Sequence, residues 1–105
     1  MKAEFENIPL IKNEDKKRFE IEVNSYFAFI DYEENSEQIA LIHTEADPEL
    51  AGTGAAAAVV EKTLLFIEKS GKKLLPFCPY VFAFIRKNPE WKRIVDDRFE
   101  NYDKL

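Results

Sequence analysis

The stretch at residues 49–60, "ELAGTGAAAAVV", decides how the fold of this chain is interpreted. It joins Gly52 and Gly54 to a run of alanines, and glycines let a backbone approach a ligand closely. A helix that begins at Gly54 would direct its first free N–H groups at an anion. No Gly-Lys-Ser/Thr follows, so the stretch is not a P-loop, and no third glycine stands at the dinucleotide-binding spacing. Two interpretations remain: a phosphate-binding turn, or a strand-to-helix corner that binds nothing.

Three predicted strands precede this stretch. Residues 19–23 alternate apolar and charged side chains, which predicts a strand with one solvated face. Residues 26–32 are rich in aromatic and β-branched side chains and predict a second strand, antiparallel to the first. Residues 39–44 carry apolar side chains on both faces, which is typical of an interior strand. Pro48 lacks a backbone donor and ends the third strand.

A helix, a strand and a second helix are predicted after the glycines. Apolar residues at helical spacing predict an amphipathic helix over residues 54–70, ended by Gly71 in the left-handed conformation. Residues 73–77 predict a short strand, parallel to the third strand because a helix connects the two. Residues 79–87 begin with a proline suited to a first helical turn, and residues 90–95 predict a further turn. The order β-β-β-α-β-α predicts an α+β fold, a mixed sheet with helices packed on it.

Composition is typical of a cytoplasmic globular protein. The 105 residues suffice for one domain, and we predict a core over about residues 16–96 with a loosely held polar tail at 97–105. The net charge of −5 argues against nucleic-acid binding. The sequence contains no run of about 18 apolar residues, so no membrane span is predicted. One histidine and one cysteine are too few for a protein zinc site. We expect the chain to be a monomer or a weak dimer.

The order of elements and the glycine segment resemble the GNAT acetyltransferase superfamily. Its members bind the pyrophosphate of acetyl-coenzyme A through backbone N–H groups of a Gln/Arg-x-x-Gly-x-Gly/Ala segment. Glu49 stands where Gln or Arg is usual, and Ala51 replaces a residue that is often basic. We therefore expect the carboxylate of Glu49 to weaken cofactor binding. The residues that the resemblance assigns to the pyrophosphate are Gly52, Thr53, Gly54 and Ala55.

Two longer segments resemble a narrower group, the small single-domain YjdJ-type GNAT-like proteins. They are "IHTEADPELAGTGAA" at 42–56 and "LPFCPYVFAFIRKNPEW" at 75–91, and the resemblance covers about residues 19–95. It implies an acetyl-CoA-dependent N-acetyltransferase that modifies a small-molecule or protein amine, with Cys78 as the acyl-transfer residue. Two further cofactor contacts are implied. One is Thr44, and the other is Asn88 or the neighbouring Arg86 and Lys87, which would meet the pantetheine arm or a phosphate.

Cys78 also has chemistry of its own. It precedes Pro79, the expected first residue of a helix, so its sulfur is expected near the positive end of that helix. Such a placement favours the thiolate, the form that accepts an acetyl group from a thioester. The alternative is a buried cysteine that acts only as a small hydrophobic side chain.

The single histidine and one tyrosine are the remaining candidates. Simple alternation places His43 on the same face of its strand as Leu41, and parallel pairing would bring His43 and Cys78 to one cleft. There His43 would act as a general base on the incoming amine or support the thiolate; the alternative is an exposed histidine without a role. Tyr80 would reprotonate the departing CoA thiolate, or it only packs against its neighbours. A CoA-binding or protein-interaction module without turnover is the alternative function.

Overall fold

Five strands form one sheet, and they lie in the sheet in the order in which they occur along the chain. A computed structural model describes residues 1–105. Neighbouring strands are antiparallel except the last pair, which is parallel. This architecture confirms the predicted α+β fold with a mixed sheet. The elements are β1 (Ile11–Asn13), β2 (Arg18–Val23), β3 (Tyr26–Glu34), β4 (Gln38–Ala46), α1 (Ala55–Ser70), β5 (Lys73–Pro76) and α2 (Pro79–Lys87).

One face of the sheet carries the hydrophobic core. Alternation along β2 buries Phe19 and Ile21, and alternation along β3 buries Ala28, Ile30 and Tyr32. The buried side chains of α1 and α2 belong to the same core cluster, so both helices cover this face. Charged side chains of the same strands, together with Phe27 and Phe29, occupy the opposite face, which remains open to solvent.

Helix α1 is bounded by two glycines in the left-handed conformation. Gly54 has φ 91° at its start and Gly71 has φ 78° at its end, where its N–H donates to the Glu68 carbonyl. Ala55 and Ala58 are buried, because small side chains let the first turns of α1 approach the sheet closely. The predicted bounds of this helix are confirmed. No helix combines the length and the apolar character needed to cross a membrane.

A β-bulge in β4 changes which face its side chains occupy. Leu41 and His43 pair with consecutive residues of β3, so Ile42 is an extra residue without a partner there. Beyond the bulge, Thr44 lies opposite the buried Ile30 and therefore on the core side. The predicted placement of His43 on the face of Leu41 is wrong, because one inserted residue reverses the face of every residue after it.

Packing extends past the predicted core of residues 16–96 at both ends. Near the N-terminus, Phe5 is only 1% exposed, and β1 adds an edge strand to the sheet. Near the C-terminus, Phe99 is 7% exposed, and Tyr102 and Leu105 pack against the core. The predicted loose tail is therefore wrong, because its few apolar residues are enough to attach it.

Candidate functional site

The turn between β4 and α1 is held in place by its own side chains. Asp47 Oδ1 accepts a hydrogen bond from the N–H of Glu49 at 2.9 Å. Thr53 Oγ1 donates to the Leu50 carbonyl at 2.6 Å and accepts from the N–H of Ala55 at 3.2 Å. These bonds fix the path of the chain into the helix, so the amides at its start have defined directions.

Three backbone amides at the start of α1 have no acceptor in the chain. They belong to Gly54, Ala56 and Ala57. They lie at the positive end of a 16-residue helix, a position suited to phosphate oxygens. The free donors extend two residues past the predicted cradle, while the amide of Ala55 inside it is already bonded to a side chain.

A cavity of about 350 Å³, here called the helix cavity, lies beside these amides between α1 and α2. Gly54 forms part of its wall, and Asn88, at the end of α2, contributes another part. Asn88 donates its side-chain N–H to the Phe84 carbonyl at 2.9 Å. Its Oδ1 accepts no hydrogen bond from the chain. The structure thus brings together two of the predicted cofactor residues. The full lining is Met1, Lys2, Gly54, Ala57, Ala58, Glu61, Phe84 and Asn88.

The other residues of the turn contribute to a different cavity. Glu49 and Thr53 line a cavity of about 540 Å³ together with the carboxylates of Glu4 and Glu22. This acidic cavity shares no lining residue with the helix cavity. Glu49 therefore does not line the cavity beside the free amides of α1.

Strand β4 continues beyond the end of β5 and leaves one edge open. Pro76 ends β5, whereas β4 runs on to Ala46. The N–H of Asp47 donates to the Phe27 carbonyl at 2.9 Å, and bonded pairs alternate along an antiparallel ladder. Thr44 and Ala46 therefore direct their backbone N–H and C=O groups away from β3. Such an open strand edge can pair with the amide groups of an extended ligand.

Cys78 lies where this open edge meets α2. It is the N-cap residue of α2, as predicted, and its N–H donates to the Leu41 carbonyl at 2.8 Å. Its Sγ lies 3.2 Å from Thr44 Oγ1, so the structure brings a predicted catalytic residue against a predicted cofactor residue. The side chain is 2% exposed. When the sulfur is a thiolate, the Thr44 hydroxyl is the donor and stabilises the negative charge.

Tyr80 is the second residue of α2, two positions after Cys78. Partial burial raises the pKa of its hydroxyl above the ordinary value, and the charge of a Cys78 thiolate raises this pKa further. The side chain remains 44% exposed. A phenol that stays protonated at neutral pH can donate a proton to a departing thiolate.

His43 is not brought to Cys78. Its side chain is 57% exposed, and its Nε2 lies 3.5 Å from Glu45 Oε1. It projects from the open face of the sheet, whereas Cys78 belongs to the core on the other face. The geometry therefore does not support His43 as a general base at this thiol's side of the sheet or as a group that stabilises the thiolate.

Lys2 is the site residue that the sequence did not suggest. Its Nζ donates to the Thr53 carbonyl at 2.9 Å, at the entrance of α1. No spacing rule relates residue 2 to residue 53. The available signal is Phe5, an aromatic side chain in an otherwise polar segment, whose burial brings the N-terminus to this turn.

The sequence profile of a family of GCN5-related N-acetyl-transferases matches residues 18–94. The matched region runs from β2 past the end of α2, so it contains the start of α1, the open edge of β4 and Cys78. Acetyltransferases of this kind generally use acetyl-CoA as the acyl donor. The chain belongs to the GCN5-related N-acetyltransferase family.

Proposed function

We propose that this chain catalyses the acetyl-CoA-dependent N-acetylation of an amine, with Cys78 at the acyl-transfer centre. One observation carries the proposal. The free amides of α1, the open edge of β4 and the Thr44–Cys78 pair succeed one another along the end of β4. Each part supplies a different kind of contact: anion binding, pairing with amide groups, and a sulfur beside a hydroxyl.

The residues present fit the acyl donor of the family. The amides of Gly54, Ala56 and Ala57 would hold its diphosphate, and Asn88 Oδ1 adds a free acceptor in the same cavity. The backbone groups of residues 44–46 would pair with the amides of its pantetheine arm. These contacts would place the thioester end toward Cys78.

Acetyl-CoA would supply an acetyl group as a thioester. The carbonyl carbon would bond to the acceptor nitrogen or sulfur, the carbon–sulfur bond to CoA would break, the proton of the acceptor would go to solvent, and the CoA sulfur would take a proton. Tyr80 holds a proton that its hydroxyl can give to that sulfur. Cys78 serves in one of two ways. Its Sγ accepts the acetyl group and later passes it to an amine, or it positions the thioester while an amine attacks directly.

Calorimetry and intact-protein mass spectrometry test the proposal together. CoA should bind the unmodified chain, and incubation with acetyl-CoA and a panel of amines should release CoA thiol. If the acetyl group passes through Cys78, the intact mass rises by one acetyl group, and hydroxylamine reverses the rise. Cys78→Ala should retain CoA binding and lose the adduct. His43→Ala is the matched control, and it should form the adduct at the parent rate because His43 projects from the other face.

The deep burial of Cys78 favours one alternative, a CoA-binding or protein-interaction module without turnover. An exposure of 2% is also typical of a cysteine that only packs in the core as a small hydrophobic side chain. This alternative replaces the proposal if CoA binds, no amine releases its thiol, and Cys78 resists alkylation at neutral pH. Absence of CoA binding to the unmodified chain would contradict the proposal and the CoA-binding module, and would leave the protein-interaction module.

A further inference from the structure

Lys2 lies directly over the start of α1. Its Nζ is 2.9 Å from the Thr53 carbonyl oxygen. Its Cε and Nζ lie 3.3 and 3.5 Å from the position that a Cβ on Gly54 would occupy. A cation is therefore held next to the free amides at the helix start.

The position of Lys2 is fixed by the fold rather than by a free chain end. Residues Ala3–Phe5 form a short 3-10 helix, and Phe5 donates its N–H to the Lys2 carbonyl at 3.0 Å. Phe5 itself is 1% exposed and belongs to the core cluster. Burial of this aromatic ring anchors the segment that carries Lys2.

Charge around the helix cavity points to the same residue. Lys2 is the one lysine or arginine in its lining, and Glu61 is the one carboxylate. Glu61 lies 3.2 Å from the Met1 ammonium group, so its charge is already compensated. The chain has a net charge of −5, and Lys2 is the single side-chain cation in this cavity. Lys2 forms no ion pair, because its Nζ is bonded to a neutral carbonyl.

We propose that Lys2 is a ligand of the CoA diphosphate, in a position that lies outside the family-matched region of residues 18–94. The inference rests on the proposed function, because it names a residue of the same cofactor site. The Lys2 ammonium group turns from the Thr53 carbonyl to the diphosphate, which the α1 amides hold from the other side. A charged partner replaces a neutral one, and that exchange favours binding.

The test compares Lys2→Ala and Lys2→Arg with the untagged parent, with Lys16→Ala as matched control. Lys16 is an exposed lysine in the β1–β2 turn with no ion pair, so its removal changes net charge alone. Dissociation constants are measured by calorimetry for CoA and for dephospho-CoA, which lacks the 3′-phosphate. Circular dichroism verifies that each variant is folded.

Lys2→Ala should weaken both ligands by the same factor, about three- to tenfold at low salt, and the deficit should shrink as salt rises. Lys2→Arg and Lys16→Ala should bind almost as the parent does. Unchanged CoA affinity in Lys2→Ala overturns the inference, as does a loss confined to CoA, which would assign Lys2 to the 3′-phosphate. An equal loss in Lys16→Ala or Lys2→Arg also overturns it. Failure of the parent to bind CoA contradicts the proposed function instead.

Discussion

Gly54 combines a backbone requirement with a spatial one. Its φ of 91° is unfavourable for any residue with a Cβ, and its Cα faces the side chain of Lys2 across the start of α1. Gly52 has a similar φ of 75°, but a Cβ there would meet nothing within 4 Å. Substitutions at the two glycines therefore allow the effect of conformational strain to be distinguished from the effect of blocking the anion-binding amides.

We predict that Gly54→Ala and Gly52→Ala lose similar stability, about 1 kcal/mol each, because both place a Cβ on a left-handed residue. CoA binding should separate them. The Gly54→Ala methyl group enters the helix cavity and should raise the dissociation constant about tenfold, whereas Gly52→Ala should stay within about twofold. Thermal melts and calorimetry give the two quantities. Equal loss of affinity in both variants would show that strain, and not the cavity, controls binding.

Tyr80 should contribute to turnover rather than to cofactor binding. The raised pKa of its hydroxyl keeps the proton that the departing CoA sulfur needs. Tyr80→Phe should lower kcat by about a hundredfold, as removal of a general acid does, with little change in CoA affinity. CoA thiol release measures kcat, and Tyr26→Phe, an exposed tyrosine in the β2–β3 hairpin, is the control. An unchanged kcat would return Tyr80 to a packing role.

At the scale of the elements, the bulge in β4 determines the composition of the site. Ile42 is the inserted residue, and it turns Thr44 toward Cys78 while His43 turns away. Local sequence could not predict this, because a β-branched residue suits a strand equally well with or without a bulge. The 3-residue β1 was missed for a related reason, since so short a strand shows no alternation.

Helices α1 and α2 could be predicted from the sequence, because the residues at their ends have known conformational preferences. Glycines bounded α1, and Pro79 marked the first turn of α2 directly after Cys78. Contacts between distant residues were not predictable. The placement of Lys2 over Gly54 depends on burial of an N-terminal aromatic ring, which no spacing rule describes.

Gly71→Ala tests whether α1 acts as a rigid support. Gly71 has φ 78° with nothing near its missing Cβ, so the variant should lose about 1 kcal/mol through backbone strain alone. Because Gly71 lies at the opposite end of the 16-residue helix from the free amides, CoA affinity should be unchanged. Urea unfolding and calorimetry measure the two effects. Weaker CoA binding in Gly71→Ala would mean that helix stability, rather than local geometry at Gly54, governs the site.

At the scale of the whole molecule, both chain ends close around the sheet. The N-terminal segment carries Lys2 to the helix cavity, and the C-terminal segment is joined to the sheet through Asp96. The N–H of Asp96 donates to the Leu74 carbonyl at 2.9 Å, and Gln38 of β4 donates to its carboxylate at 2.9 Å. Arg98 adds charged donors at 3.0 and 2.8 Å. Asp96 thus connects β5 through its backbone N–H, and β4 and Arg98 through its carboxylate.

Asp96 should make the stability of the protein depend on pH on the acid side. Hydrogen bonds from Arg98 and Gln38 hold the pKa of its carboxyl well below the ordinary value, although the side chain is only 3% exposed. The folded chain therefore binds this proton less readily than the unfolded chain. Its stabilising effect is complete above about pH 5, roughly one unit above the unfolded pKa, and is lost progressively as the pH falls toward the lowered pKa of the folded chain.

Asp96→Asn should therefore lower the melting temperature at pH 7 and reduce the further loss between about pH 5 and pH 3, because the group that takes up the proton is gone. The adjacent, exposed Asp97 has no hydrogen bond or ion pair, so Asp97→Asn is the matched control and should follow the parent curve. Thermal melts across this pH range measure the difference between parent and variant. A constant difference at every pH would show that Asp96 acts through packing and neutral hydrogen bonds. A difference that shrinks as the pH falls would assign the effect to its charge, and with it the attachment of the C-terminal segment to β4.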